Sequence, residues 1–347
     1  MSKDTLYFET NGFESLRSFV FSSDAQTEFY LLADENTYRD CFPIIRDILN
    51  DKLKAHCIIS AGEKHKNISS LTQILSFLTE NEATRNAVLV NLGGGMITDI
   101  GGFAASIYKR GIAYVNIPTS LLAQIDASIG GKTGIDFMGF KNQIGSFYAP
   151  KATFIATEFL QTLPQQELNA GMAEAWKHAL IEDIDYWNFL KTFQGNDFAP
   201  LVKRSIEIKS SIVAQDPLEK NVRKKLNFGH TVGHAIESYF LDDLQQPILH
   251  GEAVGMGMIC ESYISWQKKL ISQETLHEII NTLKQFYCKF ELPKNAFQLI
   301  IKRMYHDKKN TSSQFNFTLL DGIGSASINH TCDETMVHAS FVFYSTL

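Results

Sequence analysis

The chain contains no C-x-x-C pair, no block of lysines and arginines that stands out, and no apolar run long enough to span a bilayer. Its five cysteines, Cys41, Cys57, Cys260, Cys288 and Cys332, are odd in number and scattered. A disulfide framework or a zinc ribbon is therefore disfavoured, and buried, reduced thiols are expected. With no basic cluster and a net charge of -6, nucleic-acid binding as a main role is disfavoured, though a local basic pocket stays open. The opening MSKDTLYFET lacks a charged region followed by an apolar stretch, so no signal peptide is expected. Repeats and low-complexity tracts are missing too. A cytoplasmic enzyme is the class these absences leave.

What is present fits that class. At 347 residues the chain is too long for one small core and suits two domains. Hydrophobic residues make up 44% and charged residues 20%, which allows a sizeable core and disfavours disorder. The first half alternates. EFYLLAD (28–34), AHCIIS (55–60), NAVLVNL (86–92), AYVNIP (113–118) and ATFIAT (152–157) read as strands. Helical patterns over Thr37–Asn50, Ile68–Asn81 and Thr98–Tyr108 lie between several of them. Such alternation predicts a mostly parallel sheet covered on both faces. From about Leu160 the pattern turns helical, over 165–193, 198–214, 230–240, 251–269, 272–287 and 294–305. QFNFTLLDGIGSASI (314–328) is the one hairpin-like exception. The reading is an α/β domain over 1–158 and a helical domain over 159–347.

Several motifs carry chemistry. NLGGGMITDIGG (91–102) follows a strand and opens a helix, where glycines and free N–H groups suit a pyrophosphate. Gly93 and Gly95 fit the dinucleotide fingerprint, but Thr98 stands where its third glycine would be, so tight helix–strand packing is the competing reading. In IPTSLLAQIDASIGGKTGID (117–136), Pro118 ends a strand and Thr119 and Ser120 can cap a helix that carries Asp126. Gly130 and Gly131 then present Lys132, which makes either a site for a polar anion or a surface ion pair. KNQIGSFYAP (141–150) adds Lys141 and Asn142 beside a further turn. In NAGMAEAWKHALIED (169–183), Glu174, Lys177 and His178 share a helix face among small and apolar neighbours. Buried charge needs a partner, and a cation is one; a solvated amphipathic helix is the alternative.

LNFGHTVGHAIES (226–238) places His230 and His234 four residues apart, on one side of a helix. The glutamate of H-E-x-x-H is absent, which disfavours a metalloprotease. ILHGEAVGMGM (248–258) supplies His250. Glu174 with two histidines would make a His₂Glu set with an open position, whereas any single histidine is more often structural. Lys209, Arg223, Lys224, Lys225, Lys308 and Lys309 could neutralise a phosphate and a carboxylate, or be a solvated charge run.

The ordered combination GGGMITDIGGFAASIYKRGI, IPTSLLAQIDASIGGKTGID, KNQIGSFYAP, GMAEAWKHALIED, LNFGHTVGHAIE and LHGEAVGMGM closely resembles the 3-dehydroquinate synthase family, from about Asp34 to Lys309. Ser120 stands where that family more often has threonine, and the first thirty residues carry little family signal. The resemblance implies a Rossmann-like NAD-binding domain, a helical metal-binding domain, and an active site in the cleft between them. It implies a homodimer using NAD and a divalent metal, zinc or cobalt. The substrate would be the sugar phosphate 3-deoxy-D-arabino-heptulosonate 7-phosphate, and the products 3-dehydroquinate and phosphate, in the shikimate pathway. Transient oxidation, phosphate elimination, reduction and aldol closure would leave no net redox change.

The resemblance also carries roles to residues. Glu174, His230 and His250 match metal ligands, and His234 either a group that supports those ligands or a proton-handling group. Asp34, Asn36, Glu63, Lys66, Gly94, Gly95, Asp99, Thr119, Ser120, Lys141 and Thr162 match NAD contacts. Asp126, Lys132, Asn142, Lys177, Lys209, Arg223 and Asn227 match substrate contacts. Arg110 matches an arginine given across the dimer interface, and one of Lys308 and Lys309 a further anion contact. A sister sugar phosphate cyclase and an NAD-dependent, metal-containing polyol dehydrogenase are the other activities such motifs allow.

Overall fold

Strand-forming runs and capped helices alternate along the first half of the chain, as their composition dictates. The computed structural model describes residues 5–9, 13–49, 52–242, 244, 247–288, 290–305 and 314–347. Contacts divide the chain into two compact units, one of Met1–Leu168 with Phe198–Ile206 and one of Asn169–Asp197 with Glu207–Leu347.

The first unit runs β1 (Leu6–Glu9), α1 (Glu14–Ser22), β2 (Phe29–Asp34), α2 (Glu35–Asp40), α3 (Phe42–Leu49), β3 (Leu53–Ile59), α4 (Ile68–Glu80), β4 (Val88–Gly93) and α5 (Gly95–Ile107). It continues with β5 (Ala113–Pro118), β6 (Lys132–Phe137), β7 (Phe140–Phe147) and β8 (Ala152–Ala156). Six strands form one parallel sheet in the order β1-β8-β5-β4-β2-β3. Tyr30, Leu32 and Leu89 pack on one face with Ile74, Ile97 and Ile100. Leu31, Val90 and Val115 pack on the other with Leu16, Ile45 and Phe159. Burial on both faces explains why these strands are apolar without alternation. From β2 the chain goes outward to β3, then returns to β4 on the opposite side. The carboxyl ends of β2 and β4 therefore flank the switch point of the sheet, where open α/β folds bind ligands.

Local chemistry departs from the periodicity in three places. The helix expected over Thr37–Asn50 is two helices broken at Cys41, because Pro43 has no N–H to give to the carbonyl of Arg39. Asp126 lies on a short π-helical turn, Ala123–Ala127, rather than on a regular helix. Lys132 opens β6, and Lys141 and Asn142 sit within β7; β6 and β7 form an antiparallel hairpin that the turn residues alone did not disclose.

The second unit contains most of α6 (Gln165–Glu182), α7 (Ile184–Thr192), the C-terminal half of α8 (Ala199–Gln215), α9 (His230–Asp242), α10 (His250–Gln267), α11 (Gln273–Tyr287) and α12 (Phe297–Met304). An antiparallel hairpin of β9 (Phe315–Gly322) and β10 (Ser325–Cys332) and a last helix, α13 (Glu334–Tyr344), complete it. The single helix expected over 165–193 is divided at Asp183. Its side chain accepts from the backbone of Asp185 and Tyr186 and so starts α7 afresh. Helices α9 and α10 meet backbone to backbone. Gly229 has φ 78, and a Cβ there would stand 2.5 Å from Met258 Cγ and 3.0 Å from the Val254 carbonyl. Gly233 would likewise meet the Ala253 carbonyl at 3.0 Å. No helix among the described residues is long and apolar enough to cross a membrane.

Candidate active site

In the α/β unit the expected cofactor residues gather at the carboxyl ends of β2 and β4. Asp34 ends β2 and caps α2, accepting from the N–H groups of Asn36 and Thr37 at 2.9 Å each. Burial pushes its carboxyl above the usual aspartate range, against these hydrogen bonds. Asn36 is exposed beside it. Gly94 precedes α5 and Gly95 opens it, with no side chain capping the free N–H groups. A Cβ on Gly94 would stand 3.2 Å from Ser120 Oγ, so glycine keeps the approach open. Thr119 donates its N–H to the Gly93 carbonyl at 3.0 Å. Burial pushes the Cys41 thiol up to about 12, against the lowering influence of the Thr162 and Thr119 hydroxyls.

A charged network joins this region to the β6–β7 hairpin. The buried Lys66 ammonium lies 2.6 Å from Asp99 and 3.5 Å from Glu63, and donates to Asn142 Oδ1 at 2.7 Å. Lys141 pairs with Glu63 at 2.6 Å and with Asp136 at 3.6 Å. Asp136 also accepts the N–H of Asn142, whose φ is 50. Burial works against the Lys66 charge, but Asp99, Glu63 and Asp136 outweigh it and hold the group above the ordinary lysine range. For Asp99 and Asp136 burial prevails, so both carboxyls stay above the aspartate range despite the lysines. Three carboxylates share two ammonium groups. Carboxylate acceptors suit sugar hydroxyls, whereas the N-terminus of α5 suits a pyrophosphate.

Other expected residues of this unit stand outside that network. Asp126 is half-buried on its π turn, and Lys132 is exposed just after Gly130 and Gly131, whose φ values are 96 and 63. Arg110 is exposed past the C-terminal end of α5, a 13-residue helix about 20 Å long.

In the helical unit Glu174 and Lys177 form an ion pair, each 1% exposed. His230 Nε2 lies 3.4 Å and His250 Nε2 3.8 Å from Glu174 Oε1. Among the described residues, neither Glu174 oxygen receives a hydrogen bond of good geometry. The nitrogens on the opposite side of both rings are tied back: His230 Nδ1 is 3.1 Å from the Phe228 carbonyl, and His250 Nδ1 is 3.1 Å from Glu237 Oε2. His234 completes a triangle of rings, 5.1 Å from His230 and 5.6 Å from His250 between centroids. The three histidines can also bring one ring nitrogen each within 4.8 Å of one another. Outward-held Nδ1 atoms, inward Nε2 atoms and a buried carboxylate whose Oε1 faces both rings are what a divalent metal requires, and the residues fit it.

Lys209 is buried on α8. Arg223 and Asn227 belong to a separate turn. Asp216 accepts the backbone N–H groups of Lys220, Asn221 and Arg223, and Arg223 donates to the Pro217 carbonyl at 2.6 Å. Asn227 donates to Glu219 Oε1 at 2.6 Å. Lys308 and Lys309 lie outside the described residues. Sequence reasoning passed over Asp136, Glu219, Glu237 and Glu261. Glu261 had a signal, being a lone carboxylate in the apolar body of a helix, and Glu237 lies seven residues after His230 on the same helix face.

Residues 56–170 match the family described as 3-dehydroquinate synthase N-terminal, and residues 171–310 that described as 3-dehydroquinate synthase C-terminal. A 3-dehydroquinate synthase from Parabacteroides distasonis is 41% identical over 329 residues, covering 93% of each chain. The structure of 2-epi-5-epi-valiolone synthase from Streptomyces hygroscopicus, with NAD+ and Zn2+ bound, superposes with a TM-score of 0.88 at 23% identity, over 100% of this chain and 98% of that one. That of 2-deoxy-scyllo-inosose synthase, with carbaglucose-6-phosphate, NAD+ and Co2+, gives 0.83 at 24% identity, over 97% and 95%. At such identity these two structures speak to the fold.

Proposed function

The chain belongs to the 3-dehydroquinate synthase family, and from that membership we propose that it converts 3-deoxy-D-arabino-heptulosonate 7-phosphate to 3-dehydroquinate and phosphate. It acts in the cytoplasm, as a homodimer, with NAD and a divalent metal, zinc or cobalt. The observation that carries the reading is the approach of two imidazole Nε2 atoms to one buried carboxylate oxygen, Glu174 Oε1. Glu174, His230 and His250 would hold the cation.

When bound, NAD+ supplies a transient hydride acceptor and the cation a Lewis acid for adjacent substrate hydroxyls. The protein's own side chains position and neutralise. The acceptor-rich network of Glu63, Asp99 and Asp136 takes ribose hydroxyls, with Asp34 and Asn36 beside it. Gly94 and Gly95 offer backbone N–H groups to the pyrophosphate, and Thr119, Ser120, Lys141 and Thr162 line that site. Lys177 is a buried ammonium held by Glu174, so it can meet a substrate oxyanion without ordering cost at the moment of reaction. Lys132, Lys209 and Arg223 add positive charge for the phosphate and carboxylate, and Asp126, Asn142 and Asn227 orient hydroxyls. His234, beside the two ligand imidazoles, moves a proton. The substrate's phosphate can take the proton lost during elimination, so that step needs no dedicated protein base. Arg110, about a helix length from the glycine turn, serves the partner copy's site.

The test is turnover. Metal-loaded protein with NAD+ and the heptulosonate phosphate should release phosphate and form a product that dehydroquinase consumes, with no build-up of NADH. Stoichiometric NADH without phosphate would refute the synthase reading in favour of a dehydrogenase.

A further inference from the structure

Helices α9 and α10 exchange carboxylates. Glu237, on α9, is 6% exposed and takes the Nδ1 side of His250, the first residue of α10, at 3.1 Å. Glu261, on α10, is fully buried and accepts the N–H groups of Gly229 at 2.6 Å and Val232 at 3.0 Å. Those two N–H groups bracket His230 at the start of α9. They are among the donors a helix cannot satisfy within itself, and Glu261 of the neighbouring helix accepts both. The close glycine packing of the two helices brings each carboxylate to the other's first turn.

We infer that Glu237 and Glu261 are positioning residues of the cation site, each fixing the imidazole that opens the opposite helix. This rests on the ligand assignment of Glu174, His230 and His250. Glu237 keeps the His250 proton on Nδ1, which leaves the Nε2 lone pair facing Glu174. Glu261 fixes the backbone that delivers His230, whose own Nδ1 meets the Phe228 carbonyl. A carboxylate partner also makes a ligand imidazole a better donor, and loss of such a partner typically weakens metal affinity about 10- to 100-fold.

The experiment measures zinc and cobalt dissociation constants of the full-length apoprotein by chelator competition. Glu237→Gln should bind each metal about 10- to 100-fold more weakly than wild type, and its cobalt complex should show a shifted visible spectrum. Glu261→Gln should weaken binding and lower the melting temperature of the apoprotein as well. His230→Ala, run beside them, should lose binding altogether. If His230→Ala loses the metal while Glu237→Gln keeps wild-type affinity and spectrum, the positioning role is overturned and the ligand set stands. If His230→Ala also keeps the metal, the ligand set itself falls and the inference with it. A measurement without any variant guards against failed folding. Nitrogen-15 histidine spectra of the wild-type apoprotein, at a pH where the ring is neutral, should show His250 protonated on Nδ1; protonation on Nε2 would overturn the role of Glu237.

Discussion

Replacing Glu174 by glutamine isolates the charge at the centre of the helical unit. The side chain changes by one group, N–H₂ for O⁻, and keeps its volume. Both Glu174 and Lys177 are 1% exposed, so Glu174→Gln takes one carboxylate charge away from a buried ammonium. Breaking a buried pair from one side costs about 3–5 kcal/mol. Against a domain stability of about 5–15 kcal/mol this is a large fraction. The unit has about 170 residues, for which each kcal/mol moves the melting temperature by about 2–4 °C, so a fall of about 6–20 °C is expected in the apoprotein. Removing both charges should cost less. The double variant Glu174→Gln with Lys177→Met should melt above the single one, and the cycle measures the coupling. Zinc titration separates the roles: both variants lacking Glu174 should fail to bind, while Lys177→Met alone should bind zinc and lose turnover. Calorimetry and chelator competition read both effects. A Glu174→Gln apoprotein that melts with wild type, or one that binds zinc at wild-type affinity, would refute the reasoning.

Other expectations follow from single features of the structure. Asp136 has a carboxyl raised mainly by burial, so its contribution to stability is present below the unfolded aspartate pKa and is lost as pH rises through the folded one. Wild type should therefore gain stability relative to Asp136→Asn as pH falls from neutral into the aspartate range, and a pH series of melting temperatures checks the sign. Gly229→Ala forces a side chain into φ 78 and against Met258, and should cost about 1–3 kcal/mol, read by denaturant unfolding of the apoprotein; a wild-type midpoint would contradict the close packing of α9 on α10. Burial pushes Cys57 and Cys332 up to about 11 and Cys41 up to about 12, so at pH 8 these thiols should react with a thiol reagent only on unfolding, with the half-buried Cys288 first. On the proposed homodimer with Arg110 in the partner's site, Arg110→Ala and His230→Ala proteins should each be inactive and should regain about a quarter of wild-type activity when co-refolded, because mixed dimers would rebuild one site of two; no recovery would remove Arg110 from the partner's site.

Much of the fold was legible because it depends on local pattern. The continuous apolar runs of β2, β4, β5 and β8 could only be strands buried on both faces. Spacing alone put His230 and His234 on one side of α9, and their rings are 5.1 Å apart. Pattern failed where one residue's chemistry overrides it. Pro43 split one expected helix and Asp183 another, and both signals were present but outweighed by the hydrophobic period on either side. The short β1, the helix α1 and the final helix α13 carried patterns too brief or too uniform to separate from their surroundings.

By itself, then, the sequence determined the kinds of element, the glycine turn before α5 and the polar clusters around Glu174, His230 and His250, since each follows from neighbours within a few turns of chain; that these three form one ligand set is what the family resemblance implies. Tertiary structure alone decided which nitrogens of His230 and His250 face Glu174, that Glu237 and Glu261 hold the opposite helix, and that Asp136 ties Lys141 and Asn142 to the Lys66 network. Except for those of Asp136 with Lys141 and Asn142, which close the β6–β7 hairpin, these contacts join residues far apart in the chain. They exist because packing at Gly229 and Gly233 and the pairing of β6 with β7 bring distant backbones together, and periodicity carries no record of such distances.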